Sequence, residues 1–241
     1  SAVGGALEGS EREMKAYLLA GGKGSRLGKI GEDTPKAMLQ VQCRPLLEHQ
    51  FDLVKSAGIT DVVLAIGYLA HRIKEHVGDG SRFGLKVSYV VEKEPLGTAG
   101  GLRLARQELT ETFVMMNTDE LKDVPLREMI NAHRMYTRAG VLGTVALTHV
   151  DDPRKFGVVR MKDDRIVEFL EKPENPPTNL INAGLYVLEP GVIDEVPRGA
   201  SSIERDIFQI LTLRGQLSGY PFTGQWLPTD TVEKYDSANV L

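Results

Sequence analysis

From Met14 onward, short apolar runs alternate with stretches whose apolar residues recur every three or four positions. Residues 16–20 read as a buried strand that runs into a glycine-rich turn. Leu46, Leu47, Phe51, Leu53, Val54 and Ala57 fall on one helical face, and Gly58 supplies the stop. Residues 61–66 are apolar and largely β-branched, the pattern of a strand covered on both faces. Leu69, Ile73 and Val77 predict a short helix closed by Gly78, and residues 86–91 a third strand. Thr98 is placed to cap a helix carrying Leu102, Ala105 and Leu109. A fourth strand, 113–116, ends at Asn117, Thr118 and Asp119.

The second half is richer in strand pattern. It shows a β-rich run at 141–148, a hairpin of 157–161 and 165–170 turning at Asp163 and Asp164, and a strand at 182–188. Residues 201–212 read as a helix with Ser201 and Glu204 spaced for a capping box, and 219–239 holds two short strands and a polar helix. The β-α-β alternation predicts an α/β protein with a mostly parallel (mixed) central sheet, helices on both faces and right-handed crossovers. Ligands of such sheets sit beyond the carboxyl ends of the strands, so 21–36, 92–97 and 117–120 are the segments expected to carry chemistry.

Composition narrows the class. The 241 residues are 41% hydrophobic and 26% charged, as expected for a globular domain with a sizeable core. The net charge of −4 argues against a dedicated nucleic-acid or membrane-surface binder. No apolar run approaches the roughly 20 residues of a membrane span. Cys43 is the single cysteine, which fits a reducing, cytoplasmic compartment. Residues 1–13 are small, glycine-rich and then charged, and are expected to be a leader or an expression scar. Residues 14–241 are then expected to be one domain, with 14–120 its strand–helix half and 121–241 its β-rich half.

The run from Leu19 to Leu27 (LAGGKGSRL) sets three glycines after a strand, where backbone N–H groups can turn toward a phosphate chain. It is not a Walker A loop, since no Lys-Ser or Lys-Thr pair follows Gly24. Nor is it a dinucleotide fingerprint, which needs glycine at Leu27 and an acidic residue closing the second strand. Followed by Pro35 and Lys36, it resembles the signature of the sugar-1-phosphate nucleotidyltransferases, and the resemblance runs from Met14 to about Asn239. That family implies a Rossmann-like sheet of the nucleotide-diphospho-sugar transferase type, with NTP and a sugar 1-phosphate as partners and Mg²⁺ as cofactor.

By this resemblance Leu19, Ala20, Gly21, Gly22, Gly24 and Ser25 cradle the nucleotide, Arg26 holds the departing phosphates and Lys36 neutralises charge on the transferring one. Such transfer needs positioning and positive charge rather than a covalent nucleophile. Glu92, Gly97 and Thr98 lie in EKEPLGTAG, which resembles the base-reading loop of the family. A carboxylate only accepts hydrogen bonds and guanine offers two adjacent donors, so Glu92 favours GTP over UTP, dTTP or CTP. Asp119 matches the metal-binding aspartate, with Thr118 where glycine is usual. Gly157, Glu171 and Asn182 match sugar contacts, and Lys172 a ligand of the sugar phosphate; Arg26, Lys36, Asp119 and Lys172 form the catalytic set. The second metal aspartate of the family falls on Pro228, and Asp230, two positions on, is the candidate replacement. No appended β-helix is expected after Asn239.

The expected reaction is transfer of a nucleotidyl group, GTP favoured, to mannose 1-phosphate or a similar sugar phosphate. A UTP- or dTTP-dependent glucose-1-phosphate enzyme and a non-catalytic nucleotide-binding regulator stay open as alternatives, and so does homo-oligomerisation. His71 and His76 are five apart and lack nearby cysteine partners, so no zinc site is expected.

Overall fold

A computed structural model describes residues 14–24 and 27–240. The leader, Ser25 and Arg26 therefore lie outside the described residues.

The first half supplies β1 (Lys15–Leu19), the short α1 (Lys29–Glu32), and a small hairpin of β2 (Gln40–Val41) and β3 (Arg44–Pro45). Then follow α2 (Leu46–Ser56), β4 (Asp61–Ile66), α3 (Ala70–Val77), β5 (Lys86–Val91), α4 (Gly100–Leu104) and β6 (Phe113–Asn117). The second half adds β7 (Glu120–Lys122), α5 (Leu126–Thr137), β8 (Gly143–His149), the hairpin β9 (Gly157–Lys162) and β10 (Arg165–Glu171), and β11 (Leu180–Leu188). It closes with α6 (Gln209–Leu213), β12 (Leu217–Pro221), β13 (Trp226–Pro228) and α7 (Val232–Val240).

Nine strands form one mixed sheet in the order β5-β4-β1-β6-β11-β8-β12-β10-β9, and β9 also touches β11. The four strands of the first half, β5, β4, β1 and β6, are mutually parallel. β11 then joins β6 and β8 antiparallel, while β8 and β12 pair parallel. Each helix behind the sheet explains the continuous apolar strands. Ala16 and Leu18 of β1 pack with Phe51 and Val54 of α2 on one face, and Tyr17 packs with Leu102 of α4 on the other. Alternate residues of one strand thus enter two cores, and neither face can be polar.

Some local expectations give way to tertiary contacts. The helix after Thr98 is only Gly100–Leu104, and Thr98 does not cap it. The Thr98 hydroxyl instead donates to Glu204 at 2.9 Å and accepts from the Ile203 amide at 2.8 Å. The expected helix over 201–212 begins as six residues of wide π turn, Ile203–Phe208, before α6. Its cap is Ser202, whose hydroxyl accepts from the Arg205 amide while its own amide donates to Asp206. The capping box therefore sits one residue after Ser201, because Ser201 is buried against the base loop and its carbonyl accepts the Ala99 amide. The turn at Asp163, with φ +52°, closes the β9–β10 hairpin as expected.

Candidate active site

A cleft of about 650 Å³ opens at the carboxyl ends of β1, β4, β5 and β6. It gathers Leu19, Ala20, Gly21, Gly22 and Lys36 from the first motif, Glu92, Gly97 and Thr98 from the base loop, and Asp119 from the end of β6. Parallel strands carry all three loops to one edge, which is why residues a hundred positions apart meet there. Gly24 does not line the cleft; it packs behind it, where an added Cβ would lie 3.4 Å from Leu27 and 3.6 Å from Lys36. The loop after β1 is held by the Ala20 amide on the Ala65 carbonyl and the Tyr68 amide on the Gly21 carbonyl.

At the cleft's inner end the Lys36 ammonium sits 2.5 Å from the Asp119 carboxylate. Both side chains keep an accessible surface, 14% and 30% respectively, so the pair faces the cavity rather than the core. Thr118, at the position where the family pattern has glycine, sends its hydroxyl to the Leu19 carbonyl at 2.7 Å. The extra side chain thereby ties β6 to β1.

Glu92 is half-buried, and burial raises its carboxyl above the ordinary range. One of its oxygens accepts the Leu96 amide at 3.2 Å. The other would be 2.5 Å from a Cβ on Gly101, a position that also lies 2.4 Å from the Tyr17 hydroxyl. The carboxylate expected to read guanine thus has one oxygen held by its own loop and the other toward Gly101, while Glu92 lines the cleft. Gly97 lets that loop close against the second half: its φ is +72°, and a Cβ there would be 2.3 Å from the Ser201 carbonyl.

The residues expected to meet a sugar phosphate form a neighbouring cluster outside the cleft's lining. Gly157 and Glu171 face each other across β9 and β10, and Asn182 stands beside them on β11. A Cβ on Gly157 would be 2.9 Å from the Phe169 ring and 3.2 Å from Glu171, so glycine here makes room for both. Burial raises the Glu171 carboxyl, the charge of Glu204 raises it further, and Lys172 opposes the shift. Lys172, at φ +49°, pairs with Glu171 at 3.2 Å and is 60% exposed. The Asn182 amide donates to the Tyr186 hydroxyl and accepts from the Gly184 amide, both at 2.9 Å.

Asp230 reaches the Asp119 region through the backbone. The Thr229 amide and hydroxyl both donate to the Asp119 carbonyl, and the Asp230 carboxylate is 2.7 Å from Lys234. Among the described residues no three His, Cys, Asp or Glu side chains cluster as a metal cage. Carboxylate oxygens facing a cleft nevertheless suit Mg²⁺, which takes one or two carboxylates and completes its shell with substrate phosphates and water.

Sequence reasoning missed Glu204, which accepts the Thr98 hydroxyl and whose charge raises Glu171, and the Glu120–Lys122 pair behind Asp119. Glu204 was legible only as a capping residue. Glu120 and Lys122 carried one signal, their two-residue spacing on one face of a strand.

The architecture is that of a mixed α/β protein with a glycine-lined cleft at the carboxyl ends of its parallel strands. The chain belongs to the nucleotidyl transferase family, whose profile matches residues 15–240. It is 39% identical over 220 residues to mannose-1-phosphate guanyltransferase beta-B of Xenopus laevis, covering 89% of this chain and 60% of that one. It is 40% identical over 228 residues to mannose-1-phosphate guanylyltransferase of Mycobacterium tuberculosis, covering 92% and 63%. The chain thus spans about 60% of the length of these relatives. A crystal structure from Bacillus anthracis, provisionally assigned as a glucose-1-phosphate thymidylyltransferase and bound to sucrose, superposes with a TM-score of 0.86 at 29% identity over 94% of both chains.

Proposed function

We propose that this chain transfers a guanylyl group from GTP to mannose 1-phosphate or a closely similar sugar 1-phosphate. The observation that carries the reading is the Lys36–Asp119 pair facing the glycine-lined cleft. A phosphate oxygen of the sugar phosphate attacks the α-phosphorus of the nucleotide. The bond from that phosphorus to the bridging oxygen breaks, and pyrophosphate leaves with the electron pair. The nucleophile is already anionic, so no general base is needed. Lys36 balances the charge that gathers on the α-phosphoryl oxygens, and a preplaced cation does this without reorganisation.

The glycine loop orients the triphosphate, Glu171 and Asn182 are placed to take sugar hydroxyls, and Lys172 to meet the sugar phosphate. Asp119, with Asp230 as the candidate second carboxylate next to the Thr229 contact, would hold Mg²⁺, which supplies further positive charge against the phosphates when bound. The names of the relatives support guanine. Glu92 shapes the base pocket through its loop. Among the described residues no helix is long and apolar enough to cross a membrane.

The test is pyrophosphate release with Mg²⁺, GTP and mannose 1-phosphate, with Asp119→Asn as control and dTTP, UTP and CTP as further arms. Release with GTP that disappears in the control supports the reading, and release confined to another nucleotide moves the base preference. Silence across the panel with nucleotide binding intact would favour a non-catalytic binder, a reading to which the engagement of Asp230 by Lys234 lends some weight.

A further inference from the structure

Behind the Asp119 turn lies a fully buried ammonium that the reaction does not use. The Lys122 side chain has no accessible surface, and its Nζ has three acceptors. These are the Asn117 carbonyl at 3.0 Å, the Gly184 carbonyl at 3.1 Å and the Glu120 carboxylate at 3.0 Å. An ammonium has three protons, so its bonding capacity is filled. Two of the three acceptors are main-chain groups on different strands. Asn117 ends β6, two residues before Asp119, and Gly184 lies in the irregular stretch of β11 where pairing with β8 breaks between Asn182 and Tyr186.

The same contact zone is closed from the other side. Gly184 has φ +68°, and a Cβ there would be 2.6 Å from both the Asn117 amide nitrogen and a Glu120 oxygen. Its amide donates to the Asn182 side chain at 2.9 Å. The Trp226 indole N–H reaches the Ala183 carbonyl at 3.3 Å and Glu120 at 3.4 Å. The Gln50 side chain fixes the Glu120 carbonyl at 2.8 Å. Lys122 is thus one residue removed from Asn182 through Gly184, and two from Asp119 through Asn117.

We infer that Lys122 is a positioning residue: its buried ammonium ties the turn that carries Asp119 to the bulge that carries Asn182, and so sets the spacing between the reacting end of the cleft and the sugar subsite. The inference rests on the roles proposed above for Asp119 and Asn182. A hydrophobic pair of similar volume would fill the space equally well and would often be no less stable. It could not hold two carbonyls from separate strands.

The test follows from that difference. Lys122→Met alone leaves Glu120 buried without its partner and would unfold part of the protein, so the informative variant is the double substitution Glu120→Leu/Lys122→Met in the full chain. The expected result is a melting temperature close to the parent's, with faster amide hydrogen exchange at 117–121 and 182–186. In turnover, kcat/KM for the sugar 1-phosphate should fall by roughly 10-fold to 100-fold, as when a group orienting a site ligand is removed. KM for GTP should stay within about 2-fold. Unchanged exchange in both segments overturns the inference. So does an equal loss for both substrates accompanied by a large drop in melting temperature, which would mark Lys122 as merely structural. If the parent protein itself turns over no sugar phosphate, the substrate reading fails, and the exchange result still decides the role of Lys122.

Discussion

Two residue types govern the cleft, a cation paired to an anion and glycines that leave room for neighbours. On the proposed reaction, the Lys36–Asp119 contact puts a positive charge where charge would develop in transfer. Lys36→Met should lower kcat by roughly 10²-fold to 10³-fold, the usual cost of losing one preorganised electrostatic contact. Nucleotide binding measured by calorimetry should change far less, and a purely KM effect would remove Lys36 from the transfer step. Glycines in and behind the same cleft should differ sharply. A Cβ at Gly22 meets nothing within 4 Å, whereas one at Gly101 meets the Tyr17 hydroxyl at 2.4 Å and Glu92 at 2.5 Å. Tyr17 is fully buried, so Glu92 would have to yield and release the Leu96 amide. Gly101→Ala should therefore destabilise the protein by about 1–3 kcal/mol and raise KM for the nucleotide, while Gly22→Ala leaves the urea midpoint almost unmoved. Equal midpoints for the two variants would show that Glu92 is free to move. That Lys36 and Asp119 meet at one cleft was legible because each sits in a contiguous motif after a strand. Lys122 was not, since its acceptors, Asn117 and Gly184, come together only when β6 and β11 pair.

Elements were readable where local pattern and tertiary need agree. α2 keeps Leu46, Leu47, Phe51 and Val54 inside at the spacing its sequence shows, and the β9–β10 hairpin turns at Asp163. They were misread where a distant partner decides. Thr98 prefers Glu204 and Ile203, more than a hundred residues away, to the helix that follows it. The wide turn of Ile203–Phe208 buries Ile203, Ile207 and Phe208 at a spacing that an ordinary helix would also give, so its extra width left no mark in the sequence. Such turns recur at functional sites, and here it carries Glu204 toward Glu171. The bulge in β11 is the clearest case. Its register with β8 breaks because Gly184 adopts φ +68° under the Asn117 and Glu120 side chains. Gly184→Ala meets a strained backbone and two contacts at 2.6 Å at once. It should lose about 1–3 kcal/mol and raise KM for the sugar phosphate through Asn182, which thermal unfolding and steady-state kinetics can read separately. A stable variant with unaltered kinetics would mean that the bulge does not position Asn182.

Across the whole molecule, carboxylates at the two ends of the sheet sit in opposite electrostatic surroundings. At the cleft end burial raises Glu92, Glu120 and Glu171. At the other end Glu189 follows β11 at the amino end of β6, and it is lowered, chiefly by a hydrogen bond from the fully buried His133. Linkage makes these ends respond oppositely to pH. A group raised in the folded state contributes stability that is complete below its unfolded value, near 4.5, and is lost as pH rises through the folded value. A lowered group contributes stability above its unfolded value and loses it as pH falls through the folded one. Neutral amides make the contrast measurable. Glu171→Gln should be more stable than the parent at neutral pH, with the gain fading as pH falls through the raised folded value and gone below about pH 4.5, where the parent carboxyl is protonated in both states. Glu189→Gln should be less stable at neutral pH, with the deficit shrinking as pH falls below about 4.5 through the lowered folded value, because the parent then loses its ionised partner for His133. Urea midpoints of the three proteins from about pH 3 to pH 8 would show two curves diverging from the parent in opposite directions as pH rises. Curves that stay parallel would mean that neither carboxylate is perturbed. Opposite divergence, with turnover lost only in Glu171→Gln, would show that the cluster beside the cleft keeps a charged, half-buried carboxylate at a cost in stability that the far end of the sheet does not share.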